Sequence, residues 1–145
     1  MEKRIIALDI GDKRVGVAVS DPFNTFALPA ETYWRTKNAD ADAEALAKIA
    51  REKGAGRIVC GLPLNFDGSE SVQTEKTKRF AEKLREKTDI EIVFEDERFT
   101  TMEAERVLIS GGVRRENRKK TIDSIAASYI LEGYLNRLNK SKKGD

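Results

Sequence analysis

The sequence contains no histidine and a single cysteine, Cys60. Without histidine there can be no Ser-His-Asp triad, no Cys-His pair and no histidine-ligated zinc site. A single cysteine also excludes an intrachain disulfide, which is typical of a reducing compartment, so we expect the protein to be cytoplasmic. If a metal is bound, one cysteine and no histidine point to oxygen ligands, which favours magnesium or manganese.

Long apolar runs are also missing. The apolar run after Glu2, Lys3 and Arg4 is too short for a signal peptide or a membrane span, so we expect no membrane association. Hydrophobic residues make up 39% of the chain and charged residues 36%, but the apolar residues cluster in short periodic runs that predict a packed core. The length suits one domain over residues 1–145, with residues 139–145 as a flexible tail.

The apolar periodicity predicts an α/β protein with the element order β-β-β-α-β-α-β-α-α. Strands are predicted at 4–10, 15–20, within 27–35, 57–62 and 90–94, and helices at 40–53, from 69 or 71 to about 87, 100–110 and about 122–138. The first strand is apolar on both faces and is therefore expected at the centre of the sheet. The turn at 11–14 predicts an antiparallel hairpin, and helices between the later strands predict a five-stranded mixed sheet flanked by helices.

Three acidic residues are expected to meet at one edge of this sheet. Asp9 lies near the carboxyl end of the first strand, and Glu97 follows the last strand. Ligand sites in open α/β sheets form outside the carboxyl ends of the parallel strands. Asp123 lies in the first turn of the final helix, one and two turns before Ala127 and Ile130, and so beside the sheet-facing stripe.

Three converging carboxylates repel one another unless cations neutralise them. Two Mg²⁺ or Mn²⁺ ions about 4 Å apart would do so and would support phosphodiester hydrolysis. Each acid taken alone has another explanation. Asp9 could form a turn, Glu97 could be a solvated charge, and Asp123 could complement the helix dipole. The hypothesis of a metal site therefore depends on the three residues together. Asp96 is a candidate fourth acid, but neighbouring strand residues face opposite sides of a sheet.

A basic segment at residues 114–120 directly precedes Asp123 and is predicted to be a loop. It is either a solvated loop or a clamp for the phosphates of a nucleic acid. The candidate substrate contacts are Arg14, Asn65, Arg98, Arg114, Arg115, Arg118, Lys119 and Lys120. Tyr33 and Trp34 are expected to pack in the protein rather than to stack on bases.

Four ordered motifs between residues 4 and 138 carry a family resemblance. They are Asp-Ile-Gly-Asp-Lys-Arg-Val-Gly-Val-Ala-Val-Ser-Asp at 9–21, Gly-Leu-Pro-Leu-Asn-Phe-Asp-Gly-Ser at 61–69, Asp-Glu-Arg-Phe-Thr-Thr at 96–101 with Ala-Glu at 104–105, and Lys-Thr-Ile-Asp-Ser-Ile-Ala-Ala at 120–127 with Ile-Leu at 130–131. In these motifs the chain resembles the YqgF family, also called RuvX, the pre-16S ribosomal RNA nucleases.

This resemblance implies a ribonuclease H-like fold, similar to that of the Holliday-junction resolvase RuvC. It implies acidic catalytic and metal-binding residues at Asp9, Glu97 and Asp123. It also implies a cytoplasmic role in maturing the 5′ end of the small-subunit ribosomal RNA precursor, with structured RNA and pre-ribosomal particles as partners. Resolvases of this fold act as dimers, so the resemblance leaves a homodimer as an alternative to a monomer. No residue pattern in the sequence defines a dimer interface.

Three alternatives remain open from the sequence. The protein could cut branched DNA, as a resolvase does. It could be a non-catalytic nucleic-acid-binding ribosome-assembly factor, in which the basic segment dominates. It could also be an ATP-binding domain of the actin and sugar-kinase type, which opens with a similar Asp-x-Gly turn, although the chain is too short for the two such domains that enclose a nucleotide.

Overall fold

The structure is a computed structural model that describes residues 3–98 and 115–143, and in its last helix the side chains of residues 124–140. Its strands are β1 Arg4–Ile10, β2 Arg14–Ser20, β3 Ala27–Trp34, β4 Ala55–Leu62 and β5 Glu91–Asp96. Its helices are α1 Ala39–Glu52, α2 Val72–Lys87 and α3 Arg115–Lys143. The predicted helix at 100–110 lies outside the described residues, as does Arg114.

The five strands form one mixed sheet in the order β3-β2-β1-β4-β5. The pairs β1–β2 and β2–β3 are antiparallel, and the pairs β1–β4 and β4–β5 are parallel. The strand that is apolar on both faces is the central one, because a central strand in a sheet covered on both sides exposes neither face to water. The predicted α/β class and the five-stranded mixed sheet are confirmed.

The last helix is longer than the sequence predicts. It begins at Arg115, so residues 115–120 of the basic segment are helical, and the prediction of a basic loop there is wrong. Arginine, lysine and glutamate favour helix formation without any apolar stripe to mark it. The helix also includes residues 139–143 of the expected tail, and the side-chain amide of Asn139 donates to the carbonyl oxygen of Asn24 at 3.0 Å.

Different helices cover the two faces of the sheet. On the face of α1 and α2, Ile6, Leu8 and Ile10 of β1 join the larger hydrophobic cluster. On the face of α3, Ile5 and Ala7 join a second cluster. Because side chains alternate along a strand, odd-numbered positions of β1 face α3 and even-numbered positions face α1 and α2.

The direction of α3 follows from two of its contacts with β4. Ile130 packs beside Gly61, close to the carboxyl end of β4. One turn later, the hydroxyl of Tyr134 accepts a hydrogen bond of 2.6 Å from Nη1 of Arg57, near the amino end of that strand. The helix therefore runs antiparallel to β4, and its amino-terminal half lies towards the carboxyl edge of the sheet. No described helix is long and apolar enough to cross a membrane.

The turn between β2 and β3 is organised by Asp21. Its buried carboxylate accepts hydrogen bonds from the backbone of Phe23, Thr25 and Phe26 and from the Thr25 hydroxyl, at 2.6–3.1 Å. Burial by itself raises the pKa of this carboxyl group, but these hydrogen bonds lower it by more, to about 2. The ionised carboxylate therefore stabilises the folded turn.

We expect Asp21→Asn to lower the thermal unfolding midpoint at neutral pH and to remove part of the acid sensitivity. The pKa of Asp21 falls from 3.8 to about 2 on folding, so the unfolded chain binds more protons between these values, and wild-type stability falls as the pH drops through them. Asparagine does not ionise, so the two proteins should converge in stability across this window. Thermal unfolding at several pH values checks this, and a constant difference would contradict it.

Candidate active site

Asp9 lies one residue from the carboxyl end of the central strand. It pairs with Gly16 of β2, and the preceding residue, Leu8, pairs with Cys60 of β4. As an odd-numbered position of β1, Asp9 faces α3, and it is half-buried. The central strand therefore holds this carboxylate between the sheet and the helix on which Asp123 is found.

Glu97 follows β5 and is held against β4. Its backbone N–H donates to the carbonyl oxygen of Leu62 at 3.2 Å, which extends the pairing of the two strands by one residue. Its side chain lies directly over Gly61, where a Cβ atom would overlap Oε2 of Glu97 and stand 2.5 Å from Cδ1 of Ile130. Glycine at position 61 therefore leaves room for the Glu97 side chain.

The carboxyl groups of Asp9 and Glu97 are in hydrogen-bonding contact. The pKa of Glu97 is raised to about 8, mainly by burial and further by the charge of Asp9, the hydrogen bond to Asp9 and the charge of Asp96. Two carboxyl groups in such contact share a proton unless a cation takes its place. A paired set of oxygen donors of this kind fits a hard divalent cation.

Asp123 lies in α3, four and seven residues before Ala127 and Ile130. Both of those residues are buried on the sheet-facing side of the helix, and Ile130 contacts the space above Gly61. Seven residues of helix rise about 10 Å, so position 123 is on the same helix face and further towards the carboxyl edge. Its side chain is outside the described part, and the convergence of all three acids stays a prediction.

The described side chains, at residues 3–98 and 124–140, contain no group of three acidic residues or cysteines that could hold a metal ion. Asp9 and Glu97 form a pair there. A complete site of three carboxylates therefore requires Asp123, as the sequence analysis proposes, or another residue outside this part of the chain.

Asp96 is hydrogen-bonded to Arg98, whereas Glu97 contacts Asp9. Its carboxylate accepts from Nε and from the backbone N–H of Arg98, at 2.8 and 3.0 Å. The hydrogen bond from the Arg98 side chain lowers the pKa of Asp96, which stays ionised. Strand alternation puts Asp96 on the α1 and α2 face, away from the pair.

Sequence reasoning did not identify Glu95, which shares the face of Glu97. Its side chain is mostly buried, lies near Gly133 and forms an ion pair with Arg137. The period-two pattern of β5 could have placed Glu95 beside the site, but no local signal reveals a partner 42 positions later. Because Arg137 neutralises it, Glu95 adds no uncompensated charge to the face that Glu97 shares.

The loop after β4 is tied to the site by Arg98. Its Nη1 donates to the carbonyl oxygen of Phe66 at 3.1 Å. Within the loop, Nδ2 of Asn65 donates to Oγ of Ser69 at 2.9 Å, and Gly68 adopts a left-handed φ of 88°. Two predicted substrate contacts, Asn65 and Arg98, therefore shape this loop at the edge of the site.

Of the remaining predicted substrate contacts, those among the described residues lie at the start of β2 and in the first turns of α3. Arg14 begins β2, and its guanidinium carbon lies 5.6 Å from the ring centroid of Trp34. Four others, Arg115, Arg118, Lys119 and Lys120, lie in the first two turns of α3, and their side chains are outside the described part. Arg114 lies outside it entirely.

The family model described as "RuvX: Holliday junction resolvase" matches residues 3–137. The chain belongs to the RuvX family. The matched range includes Asp9, Glu97 and Asp123, and it covers nearly the whole chain. The family predicted from the four sequence motifs is therefore confirmed.

Curated RuvX-family relatives carry the name "Putative pre-16S rRNA nuclease". The chain is 44% identical over 140 residues to such a protein from Rhizobium meliloti (strain 1021), which covers 97% of this chain and 84% of that protein. It is 45% identical over 139 residues to one from Caldanaerobacter subterraneus subsp. tengcongensis, covering 95% and 99%. The prediction of a nuclease family is thus confirmed.

Among solved structures, the RuvX-family chain is similar to "T. thermophilus RuvC in complex with Holliday junction substrate". The TM-score is 0.57 at 10% identity, and the match covers 94% of this chain and 96% of that one. A second Thermus thermophilus RuvC structure gives a TM-score of 0.54 over the same shares. At this identity the likeness concerns the fold, and it confirms the predicted RuvC-like, ribonuclease H-like architecture.

Proposed function

We propose that this RuvX-family protein is a metal-dependent nuclease that hydrolyses phosphodiester bonds, with Asp9, Glu97 and Asp123 as its catalytic residues. The observation that carries the proposal is the contact between the Asp9 and Glu97 carboxyl groups at the carboxyl edge of the central strands. Burying Glu97 and keeping it in contact with Asp9 raises its pKa and costs stability, and such costs are typical of functional sites.

The cofactor we propose is Mg²⁺ or Mn²⁺, as two ions held by Asp9, Glu97 and Asp123. Bound divalent ions would supply a water-derived nucleophile at neutral pH and stabilise the charge on the leaving oxygen. Asp9 and Glu97 are already in contact, so their oxygens need little rearrangement to act as ligands together. The ordered strands β1 and β4 fix this geometry before substrate binds.

The residues that we propose to bind nucleic acid are the cationic ones near the carboxyl edge of the sheet. The amino-terminal turns of α3, on the side of the sheet's carboxyl edge, contain Arg115, Arg118, Lys119 and Lys120, and this supports a role in binding. We assign these residues, with Arg14 and Arg114, to contacts with phosphates, which position a substrate without reading its sequence. Arg98 and Asn65 act by holding the loop of residues 63–70 beside Glu97.

The substrate we propose is the precursor of 16S ribosomal RNA, cut during maturation of its 5′ end in the cytoplasm, within or near pre-ribosomal particles. The names of the relatives from Rhizobium meliloti and Caldanaerobacter subterraneus support this choice. Branched DNA is the second candidate, because the family description and the similar RuvC complex both name a Holliday junction.

A side-by-side cleavage assay separates the two substrates. The purified protein is incubated with precursor 16S RNA and with a four-way DNA junction, each with Mn²⁺, with Mg²⁺ and with a chelator. We expect metal-dependent cleavage of the RNA near its 5′ end. Cleavage of the junction alone would replace the RNA assignment, and salt-sensitive binding of either nucleic acid without cleavage would favour an assembly factor instead.

A further inference from the structure

The single tryptophan of the chain, Trp34, is exposed on the face of the sheet that carries Asp9. The preceding residue, Tyr33, packs against the cluster on the α1 and α2 face. Alternation along β3 therefore turns Trp34 to the opposite face, which is the face of α3. Trp34 belongs to neither hydrophobic cluster and is 54% exposed, contrary to the expectation that it packs inside the protein.

Strand register places Trp34 close to the acidic pair. Asp9 pairs with Gly16 of β2, and Gly16 pairs with Thr32 of β3. Trp34 is thus two strands across from Asp9 and two residues further along, at the same carboxyl edge. With strands about 4.8 Å apart and a rise of about 3.4 Å per residue, its Cα lies about 10 Å across and about 7 Å along.

Arg14 lies over one face of the indole ring in a cation–π contact, which leaves the other face for a base, and the β1–β2 turn holds Arg14 in place. It is the direct cross-strand partner of Trp34, and its guanidinium carbon lies 5.6 Å from the ring centroid. Its carbonyl oxygen accepts from the N–H of Gly11 at 2.9 Å, which closes the turn. An exposed aromatic ring and a neighbouring guanidinium group offer a base a stacking surface and a phosphate a cation.

We propose that Trp34 and Arg14 form a nucleobase-binding subsite, in which an unpaired base of the substrate stacks on the indole ring and Arg14 contacts its phosphate. The proposal rests on the nuclease function above and adds a contact for the nucleotides that flank the acidic pair. Stacking on an aromatic ring tolerates any base, so the subsite adds affinity without selecting a sequence. It also favours single-stranded over fully paired substrate next to the site.

Intrinsic fluorescence tests the subsite without any substitution, because Trp34 is the only tryptophan. The wild-type protein is titrated with a fluorophore-free single-stranded oligouridylate in a chelator, which prevents metal-dependent cleavage. We expect saturable quenching of the tryptophan emission, with a midpoint equal to that from anisotropy of a labelled copy of the same RNA. Binding seen by anisotropy with unchanged emission would overturn the subsite.

Variants give an independent test. Trp34→Ala should weaken binding of the oligouridylate by about tenfold, whereas Trp34→Phe should retain most of the affinity because an aromatic ring remains. Phe23→Ala is the matched control, since Phe23 is 76% exposed but lies in the β2–β3 turn at the opposite edge of the sheet. Thermal unfolding midpoints verify that the variants fold.

The outcomes separate the subsite from the function on which it rests. Equal affinities for wild type and Trp34→Ala, with RNA cleavage by wild type intact, would overturn the subsite and leave the nuclease assignment standing. An equal loss in Trp34→Ala and Phe23→Ala would also overturn it. A wild-type protein that neither binds nor cuts RNA or junction DNA would overturn both proposals.

Discussion

Asp9→Asn should reduce metal-dependent cleavage at least about a thousandfold while the fold and most of the nucleic-acid affinity remain. A loss of that size corresponds to about 4 kcal/mol of transition-state stabilisation, which is within the range that a bound divalent ion supplies. The substitution also removes the negative charge that, together with burial, raises the pKa of Glu97, so the protein should not become less stable. Single-turnover cleavage, RNA binding and thermal unfolding measure the three quantities.

Asp12→Asn is the matched control for this prediction. Asp12 lies three residues later, in the turn between β1 and β2, with its exposed carboxylate 3.5 Å from Nζ of Lys76. An exposed ion pair of this kind contributes little to stability, so this variant should cut RNA at the wild-type rate. If Asp9→Asn instead cleaved as fast as wild type, the assigned role of the acidic pair would be wrong.

Gly61→Ala should damage both the site and the core, although it adds one methyl group. The new Cβ would overlap Oε2 of Glu97 and stand 2.5 Å from Cδ1 of Ile130, and real Cβ contacts are essentially never that short. Both of these side chains must move. We expect cleavage to fall about a hundredfold, as for a misplacement near 1 Å, and the free energy of unfolding to fall by about 1–3 kcal/mol.

Two further variants make this prediction specific. Gly133→Ala is the control, because a Cβ there would meet only Oε2 of Glu95 at an ordinary 3.5 Å and alanine favours the helix. Adding Ile130→Val to Gly61→Ala removes the clashing Cδ1, so stability should recover in part while cleavage stays low. Wild-type cleavage by Gly61→Ala would show that Glu97 does not act from its position over Gly61.

Periodicity explains why much of the fold could be predicted. The apolar run of β1 fills both faces of the sheet, so its central place follows from its composition. The same two-residue alternation separates Asp96 from Glu97, and the structure gives Asp96 a different partner, Arg98. Because side chains alternate along a strand, the sequence alone predicts on which face of the sheet each of these residues lies.

Long-range contacts explain what could not be predicted. Nothing near Gly61 indicates that its missing side chain makes room for Glu97, and nothing near Glu95 points to Arg137. The start of α3 was misplaced because its first turns are polar and show no apolar stripe. Trp34 is predicted to pack in the protein rather than to stack on bases, but it lies on an edge strand at the end of the sheet and is exposed.

The central claim is that Asp123 joins Asp9 and Glu97 in holding divalent cations. Titration of Mn²⁺ into wild type and Asp123→Asn, followed by electron paramagnetic resonance of the free ion, tests it most directly. Glu52→Gln, which changes an exposed acid on α1, serves as the control. We predict that Asp123→Asn weakens Mn²⁺ binding by about tenfold or more, and Mn²⁺ affinity equal to that of wild type would contradict the claim.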